Sequence, residues 1–276
     1  VITVRIPCVT SVGLCIALGL ALGASGELRA DDGATARHLL LGVRAFKAER
    51  YDEALVELRL VARAPDAPAD LAFYLGPTLY KLQRYDEALA VFAGSRADRD
   101  ALTDFYLGQT CYQLRLFRKA RAVFAELRAR GLGPALHDAA GRYVATVDAA
   151  YQTPPTVASI DYYLAEGLER AATDPIVAAE YLDEARQVEA LAAQPHRHLE
   201  IVAGLAAAWN DAGRAQSVIA LVAAERTSPP ELTWQLARAY AATADAAHAR
   251  PLLQAIIKAH GPRATEATAL LAHLGP

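Results

Sequence analysis

A chain of 276 residues, 54% of them hydrophobic, is long enough to bury the core of one large domain or of a string of repeats. Its formal net charge of −3 at pH 7 argues against a nucleic-acid binder, which would carry a basic patch or stripe. Abundant apolar residues and the absence of Ser/Thr-rich tracts exclude a chain that stays disordered for want of a core.

The first thirty residues stand apart. "VITVRIPCVTSVGLCIALGLALGASG" places Arg5 ahead of an apolar stretch over residues 8–22, with small residues at 23–26. This layout predicts a secretory signal peptide over 1–30, cleaved between residues 24 and 30, or an uncleaved N-terminal anchor. The apolar run is shorter than the roughly 20 residues a membrane span needs, so membrane contact is expected only through this segment, if it is retained. Lysine occurs four times, asparagine once and methionine never, a usage expected of a GC-rich bacterial gene in which Val1 is a GTG start. Together these features predict a periplasmic or otherwise exported protein of the cell envelope. Cys8 and Cys15 fall in the leader and leave Cys111 alone beyond it, so no internal disulfide is expected. Pro7 and Leu14, which precede the two leader cysteines, do not fit a lipid-attachment signal.

Beyond the leader, "RYDEAL" occupies residues 50–55 and again 84–89, an interval of 34 from Arg50 to Arg84. Periods of this size mark stacked supersecondary units that bury their apolar faces against one another. "FYLGPTLYKLQRYDEALAVFA" from Phe73 and "FYLGQTCYQLRLFRKARAVFA" from Phe105 align throughout. "LLLGVRAFKAERYDEALVELR" from Leu39 keeps Gly42 and Ala54 in step with Gly76 and Ala88, and with Gly108 and Ala120. Two antiparallel helices need small side chains where their axes approach. The expectation is therefore that each glycine on a first helix faces its alanine on a second, with Leu41, Leu75, Leu107, Phe92 and Phe124 filling the space around the crossing. Asp52, Glu53, Asp86 and Glu87 then fall in the first turn of the second helices, where acidic side chains complement the helix dipole; this reading is preferred to a catalytic carboxylate pair.

This pattern of Leu-Gly, Tyr, Ala, Phe and Ala resembles the tetratricopeptide repeat over residues 35–130, in three copies. The resemblance implies an all-α, right-handed superhelical solenoid of antiparallel helix pairs. The third repeat begins two residues early, which implies a shortened connection near residues 95–99. Pro77 inside a first helix predicts a bend there.

The first array is read over 31–152. Pro154 and Pro155 end a helix at about Gln152 and are read as a hinge over 153–157; Gly141 sits where a fourth first helix would carry its small residue. A degenerate array follows over 158–276, with pairs in "IDYYLAEGLERA" and "AAEYLDEARQVEALA", in "HLEIVAGLAAAWNDAGRAQSVIALVAAE", and in "ELTWQLARAYAATADAAHARPLLQAIIKA", where Leu236, Ala237, Tyr240, Ala249 and Leu253 keep the repeat register. Asp174-Pro175 is a cap and first-turn pair. With "ATEATALLAHL" as a C-terminal capping helix, the chain reads as about six pairs plus a cap.

No phosphate-binding glycine loop, nucleophile elbow or zinc-binding helix motif occurs, so no catalytic residue, metal or cofactor is assigned. His196 and His198 are two apart and cannot chelate from one helix face; they are read as a solvated helix start. Cys111 is read as a small buried hydrophobe.

The resemblance further implies that the first helices line a concave wall. The matching positions are Leu39, Val43, Phe46 and Lys47, then Phe73, Pro77, Tyr80 and Lys81, then Phe105, Gln109, Tyr112 and Gln113. Candidate groove residues are Phe46, Lys47, Phe73, Tyr80, Lys81, Phe105, Gln109, Tyr112 and Gln113, with Phe73 expected beside Phe105 and Tyr80 beside Tyr112. Such a wall suits an extended or helical segment of a protein partner, with apolar anchors and an acidic neighbour. The carboxylate clamp of family members that grip chaperone tails is not carried over, because Leu39, Val43, Phe73 and Gln109 stand at its places. The leading expectation is a non-enzymatic adaptor in a bacterial cell-envelope complex. The alternative is a helical structural domain of polysaccharide-export or cell-wall machinery contacting glycan through Trp209 and Trp234, although both residues lie at inward positions of their helices.

Overall fold

The computed structural model describes residues 30–275 except 66, 69, 96–99, 132, 151–155, 193 and 194. The predicted leader with Cys8 and Cys15, the prolines of the hinge and most of the connection at 95–99 lie outside the described residues. Within them the chain is all-helical, with fourteen helices and no strand. No described helix is long and apolar enough to cross a membrane.

Three antiparallel pairs come first: α1 (Ala30–Lys47) with α2 (Tyr51–Ala62), α3 (Leu71–Lys81) with α4 (Tyr85–Gly94), and α5 (Ala101–Gln113) with α6 (Phe117–Ala129). A long unpaired helix, α7 (Pro134–Ala150), closes on α6. Pairing resumes with α8 (Val157–Arg170) and α9 (Pro175–Glu189), α10 (His198–Asp211) and α11 (Ala215–Ala223), and α12 (Pro230–Ala242) and α13 (Ala246–Lys258). α14 (Ala264–His273) packs on α13 and α12 at the end. The result is a solenoid of six antiparallel pairs with α14 as its cap.

One turn device builds five of the six pairs. Two residues before each second helix the chain takes a left-handed conformation, at Glu49, Gln83, Arg115, Gly213 and Ala244. The next amide reaches back across the helix end: Arg50 N to Ala45 O, Arg84 N to Leu79 O, Leu116 N to Cys111 O, Arg214 N to Trp209 O and Asp245 N to Tyr240 O, all at 2.7–2.9 Å. This closure satisfies carbonyls that a helix C-terminus leaves without partners. Only one of the five positions holds glycine, the residue that tolerates the conformation without strain. The α8–α9 turn has no such residue; there Asp174 Oδ1 accepts from Val177 N at 3.0 Å, with Pro175 opening α9. The acidic residues predicted at the second-helix starts are in the first turns of α2 and α4.

The small-residue crossings form with a different partner from the one expected. A Cβ placed on Gly42, Gly76 or Gly108 would lie 2.8 Å from Leu58 Cδ2, 2.2 Å from Phe92 Cε1 and 2.7 Å from Phe124 Cζ. The residue seated over each glycine is thus one helical turn beyond Ala54, Ala88 and Ala120, which are fully buried beside the crossing. Helical side chains lean toward the N-terminus of their helix, so the large residue that covers a site sits further along the sequence. Gly167 repeats the arrangement in the second half, 2.5 Å from Leu182 Cγ. Leu41 does not fill its crossing: it is 38% exposed, whereas Leu75 and Leu107 are buried. Gly141 on α7 faces only Arg128 of α6, at 3.5 Å, since among the described residues no second helix pairs with α7.

The two arrays are packed together. α9, the most extensively buried helix, lies against α4 and α6 as well as α8 and α10. α6 starts at Leu116 without a side-chain cap of its own. Glu184, 1% exposed on α9, supplies one from 65 residues away, accepting Arg118 N at 2.8 Å and Lys119 N at 3.2 Å. Glu180 pairs with the Lys119 ammonium and with Arg214 at 3.5 Å. Tyr163 Oη donates to Arg115 O at 2.8 Å, and Arg170 reaches Asp86 at 3.5 Å while lying 4.5 Å over the Tyr181 ring. One hydrophobic core accordingly runs from Ala45 on α1 to Ala208 on α10.

Candidate functional site

In the five pairs closed by the left-handed turn, the last residue of the first helix is exposed and holds the same register position: Lys47, Lys81 and Gln113 in the first array, Asp211 and Ala242 in the second. The residue before it is aromatic throughout the first array, at Phe46, Tyr80 and Tyr112, and small or amide in the second, at Asn210 and Ala241. The same fold therefore presents two different walls.

In the first array these aromatics form a ladder with a repeated rule. Each meets the first residue of its own second helix and a tyrosine of the next first helix. Phe46 contacts Tyr51 at 5.8 Å and Tyr74 at 6.1 Å; Tyr80 contacts Tyr85 at 5.6 Å and Tyr106 at 5.4 Å; Tyr112 contacts Phe117 at 5.8 Å and Tyr143 at 6.0 Å. Tyr80 thus meets Tyr106 where Tyr112 was expected, because successive first helices are staggered and the end of one lies beside the middle of the next. Phe73 turns its ring edge to Tyr74 at 4.8 Å, and Phe105 packs against Phe124 and Tyr143, both at 5.6 Å. All the candidate aromatics are half-buried. Tyr51, Tyr74, Tyr85, Tyr106, Phe117 and Tyr143 complete the ladder and were not singled out from sequence. The shared "FY" at 73–74 and 105–106 was the available sign.

Polar groups close the rungs. Gln109 Nε2 donates to Tyr143 Oη at 2.7 Å, and Tyr80 is hydrogen-bonded to Gln113. Burial pushes the Tyr80 phenol up, reinforced by Tyr143 and Tyr85 and opposed by the Gln113 bond; burial raises Tyr106 in the same way. These phenols stay neutral across the physiological range and act as hydrogen-bond donors with broad apolar faces. Lys47 and Lys81 stand exposed beside them, Lys81 Nζ lying 6.0 Å from the Tyr51 ring centre. The ends of the first helices in the first array are thus aromatic with a cationic edge.

The second wall is engaged with itself. A shallow cavity of about 240 Å³ is lined by Asn210, Trp234, Arg238, Ala242 and Leu270. Arg238 is held by Asp211 at 2.6 Å and Gln235 at 3.0 Å, and Asn210 donates to Gln235 at 2.9 Å. Trp234 is 7% exposed and Trp209 is packed between two core clusters. Between α4 and α8 a cleft of about 520 Å³ is lined by Asp86, Glu166, Glu169, Arg170 and Thr173, and its arginine is taken by Glu166 at 2.6 Å.

Among the described residues no group of three His, Cys, Asp or Glu side chains is placed to hold a metal. Cys111 is fully buried. His196 and His198 do stand at a partly exposed helix start, but with carboxylate partners: His196 Nε2 lies 2.9 Å from Asp161, and His198 is held at both ring nitrogens, 2.9 Å from Glu189 and 3.0 Å from Glu225. Carboxylates brought in by α8, α9 and the α11–α12 connection could not be foreseen from the spacing of the two histidines.

No family model matches the chain, and no curated protein does. Among solved structures it is similar to the TPR2AB-domain:pHSP90-complex of yeast Sti1, at 16% identity over 88% of this chain and 99% of that one, with a TM-score of 0.37. At that level of likeness the tetratricopeptide-like description rests on this chain's own helix pairs, glycine crossings and turns.

Proposed function

We propose that the protein is a non-enzymatic scaffold that holds a segment of a protein partner along the α1–α3–α5 wall. The observation that carries this reading is the aromatic ladder edged by exposed Lys47, Lys81 and Gln113, present in the first array and missing from the second. Rigid aromatic faces contribute contact area at little entropic cost, and the lysines favour a segment with acidic residues beside its apolar anchors. The apolar N-terminal segment supports a place in the cell envelope, where such a scaffold would join the parts of an assembly. Glycan contact through Trp209 and Trp234 gains no support, since Trp234 is buried and Trp209 is half-buried against two core clusters.

The test uses the exposed lysines, because Tyr80 and Tyr112 also pack the array. In-cell crosslinking of the full chain is compared with Lys47→Glu, Lys81→Glu, whose fold is checked by circular dichroism. The expected result is a partner captured by the native chain and lost about tenfold or more by the folded variant; undiminished capture would place binding elsewhere.

A further inference from the structure

The segment at 196–198, His-Arg-His, is the joint between the docked α8–α9 pair and everything after it. Arg197 takes a left-handed conformation, φ 55°, and α10 starts there with no side-chain cap. Each of the three side chains is gripped by carboxylates from different elements. His196 meets Asp161 of α8, and its backbone N–H donates to Glu189 Oε1 at 3.2 Å. Arg197 meets Asp161 at 3.2 Å and Glu200 at 2.6 Å. His198 spans Glu189 at the end of α9 and Glu225 in the α11–α12 connection.

We propose that His198 is a proton-controlled clasp, fixing α10 and α11 to α9 when its ring is charged and releasing them when it is neutral. A carboxylate only accepts hydrogen bonds, and a neutral imidazole carries a single N–H. Contacts at both nitrogens therefore require the imidazolium; loss of its proton turns a lone pair toward one carboxylate, and that contact opens. The setting gives this weight, since the Glu189 and Glu225 side chains are 6% and 15% exposed and water cannot readily replace the lost bond. The groups facing this corner are Asp161 from α8, Glu189 from α9, His196, Arg197 and Glu200 around the start of α10, and Glu225 from the connection. Arg197 keeps its charge at any working pH, so its grip on Asp161 and Glu200 persists while His198 lets go.

The bond to Glu189, reinforced by Glu225 and opposed by burial, holds the His198 ring above the ordinary histidine range. A raised folded-state value stabilises the fold fully below about pH 6.5, and that contribution is lost as pH rises through the folded value. The clasp is therefore closed below about pH 6.5 and opens as pH rises through the raised folded-state value.

Imidazole nitrogen NMR on the full chain between pH 5.5 and 9 reads the proton directly. Both ring nitrogens should carry hydrogen at pH 6, with a titration midpoint above 6.5; the midpoint should fall in Glu225→Gln, a variant that keeps the larger carboxylate contact. Amide exchange of α10 and α11 reads the release, with His198→Gln at each pH as reference. Native protection should exceed that of the variant at pH 6 and converge with it by pH 9, by roughly tenfold for each unit that the midpoint lies above 6.5. A midpoint at or below 6.5, or native protection that keeps the same ratio to the variant at both pH values, would overturn the proposal.

Discussion

The two arrays share a backbone plan but not a surface. Both close pairs with the same left-handed turn, α8–α9 excepted, and both seat a large residue over a first-helix glycine, at Gly42, Gly76 and Gly108 and again at Gly167. Only the first carries the aromatic ladder and the lysine edge; the second fills the same positions with Asn210, Asp211, Ala241 and Ala242 and spends α9 on the back of the first. The contrast separates what repetition needs for folding, small crossings and compliant turns, from the residues at exposed helix ends, which differ between the two arrays.

The sharpest way to break this comparison is at the crossings. Gly76→Leu should destabilise by about 3 kcal/mol, because even a Cβ would meet the fully buried Phe92 ring at 2.2 Å. Gly141→Ala, at the equivalent place on α7, should gain up to about 1 kcal/mol, since its nearest neighbour is a long arginine side chain at 3.5 Å and alanine is the better helix former. Denaturant titration of the two variants checks both signs.

The dock comes next. Glu184→Ala should cost about 1–3 kcal/mol by stripping two α6 amides of their buried acceptor. It should also loosen the coupling between arrays, seen as tryptophan fluorescence, which reports only Trp209 and Trp234 of the second array, departing from circular dichroism during unfolding. Coincident transitions with unchanged midpoints would contradict the role given to α9. The smallest effects belong to the turns. Gly213→Ala should cost about 1 kcal/mol, and Ala244→Gly should recover a similar amount, because both sit at the left-handed position. Thermal melts of this pair would show opposite shifts.

Much of the plan was legible in residues whose physics is local. A glycine among large apolar neighbours announces a close crossing, and acidic residues after a polar pair announce a helix start, so the three clear repeats and the later pairs could be read directly. The turns hid because Glu49, Gln83, Arg115 and Ala244 carry no mark of a left-handed conformation, which the closing hydrogen bonds impose on them. Glu180 and Glu184 carry no sequence sign of burial; only the fold brings an uncapped α6 to them. The resemblance placed Lys47, Lys81 and Gln113 on one wall, and they stand exposed at helix ends, but helix stagger, invisible in an alignment, decided that Tyr80 meets Tyr106.

Of the two equivalent walls, only the first is proposed to bind a partner. A photocrosslinking residue placed in turn at Lys47, Lys81, Gln113, Asp211 and Ala242, the exposed last residues of five first helices, compares the walls at matched geometry. The prediction is one and the same protein captured from positions 47, 81 and 113, with none from 211 or 242. Capture from the second wall, or equal capture from both, would contradict it.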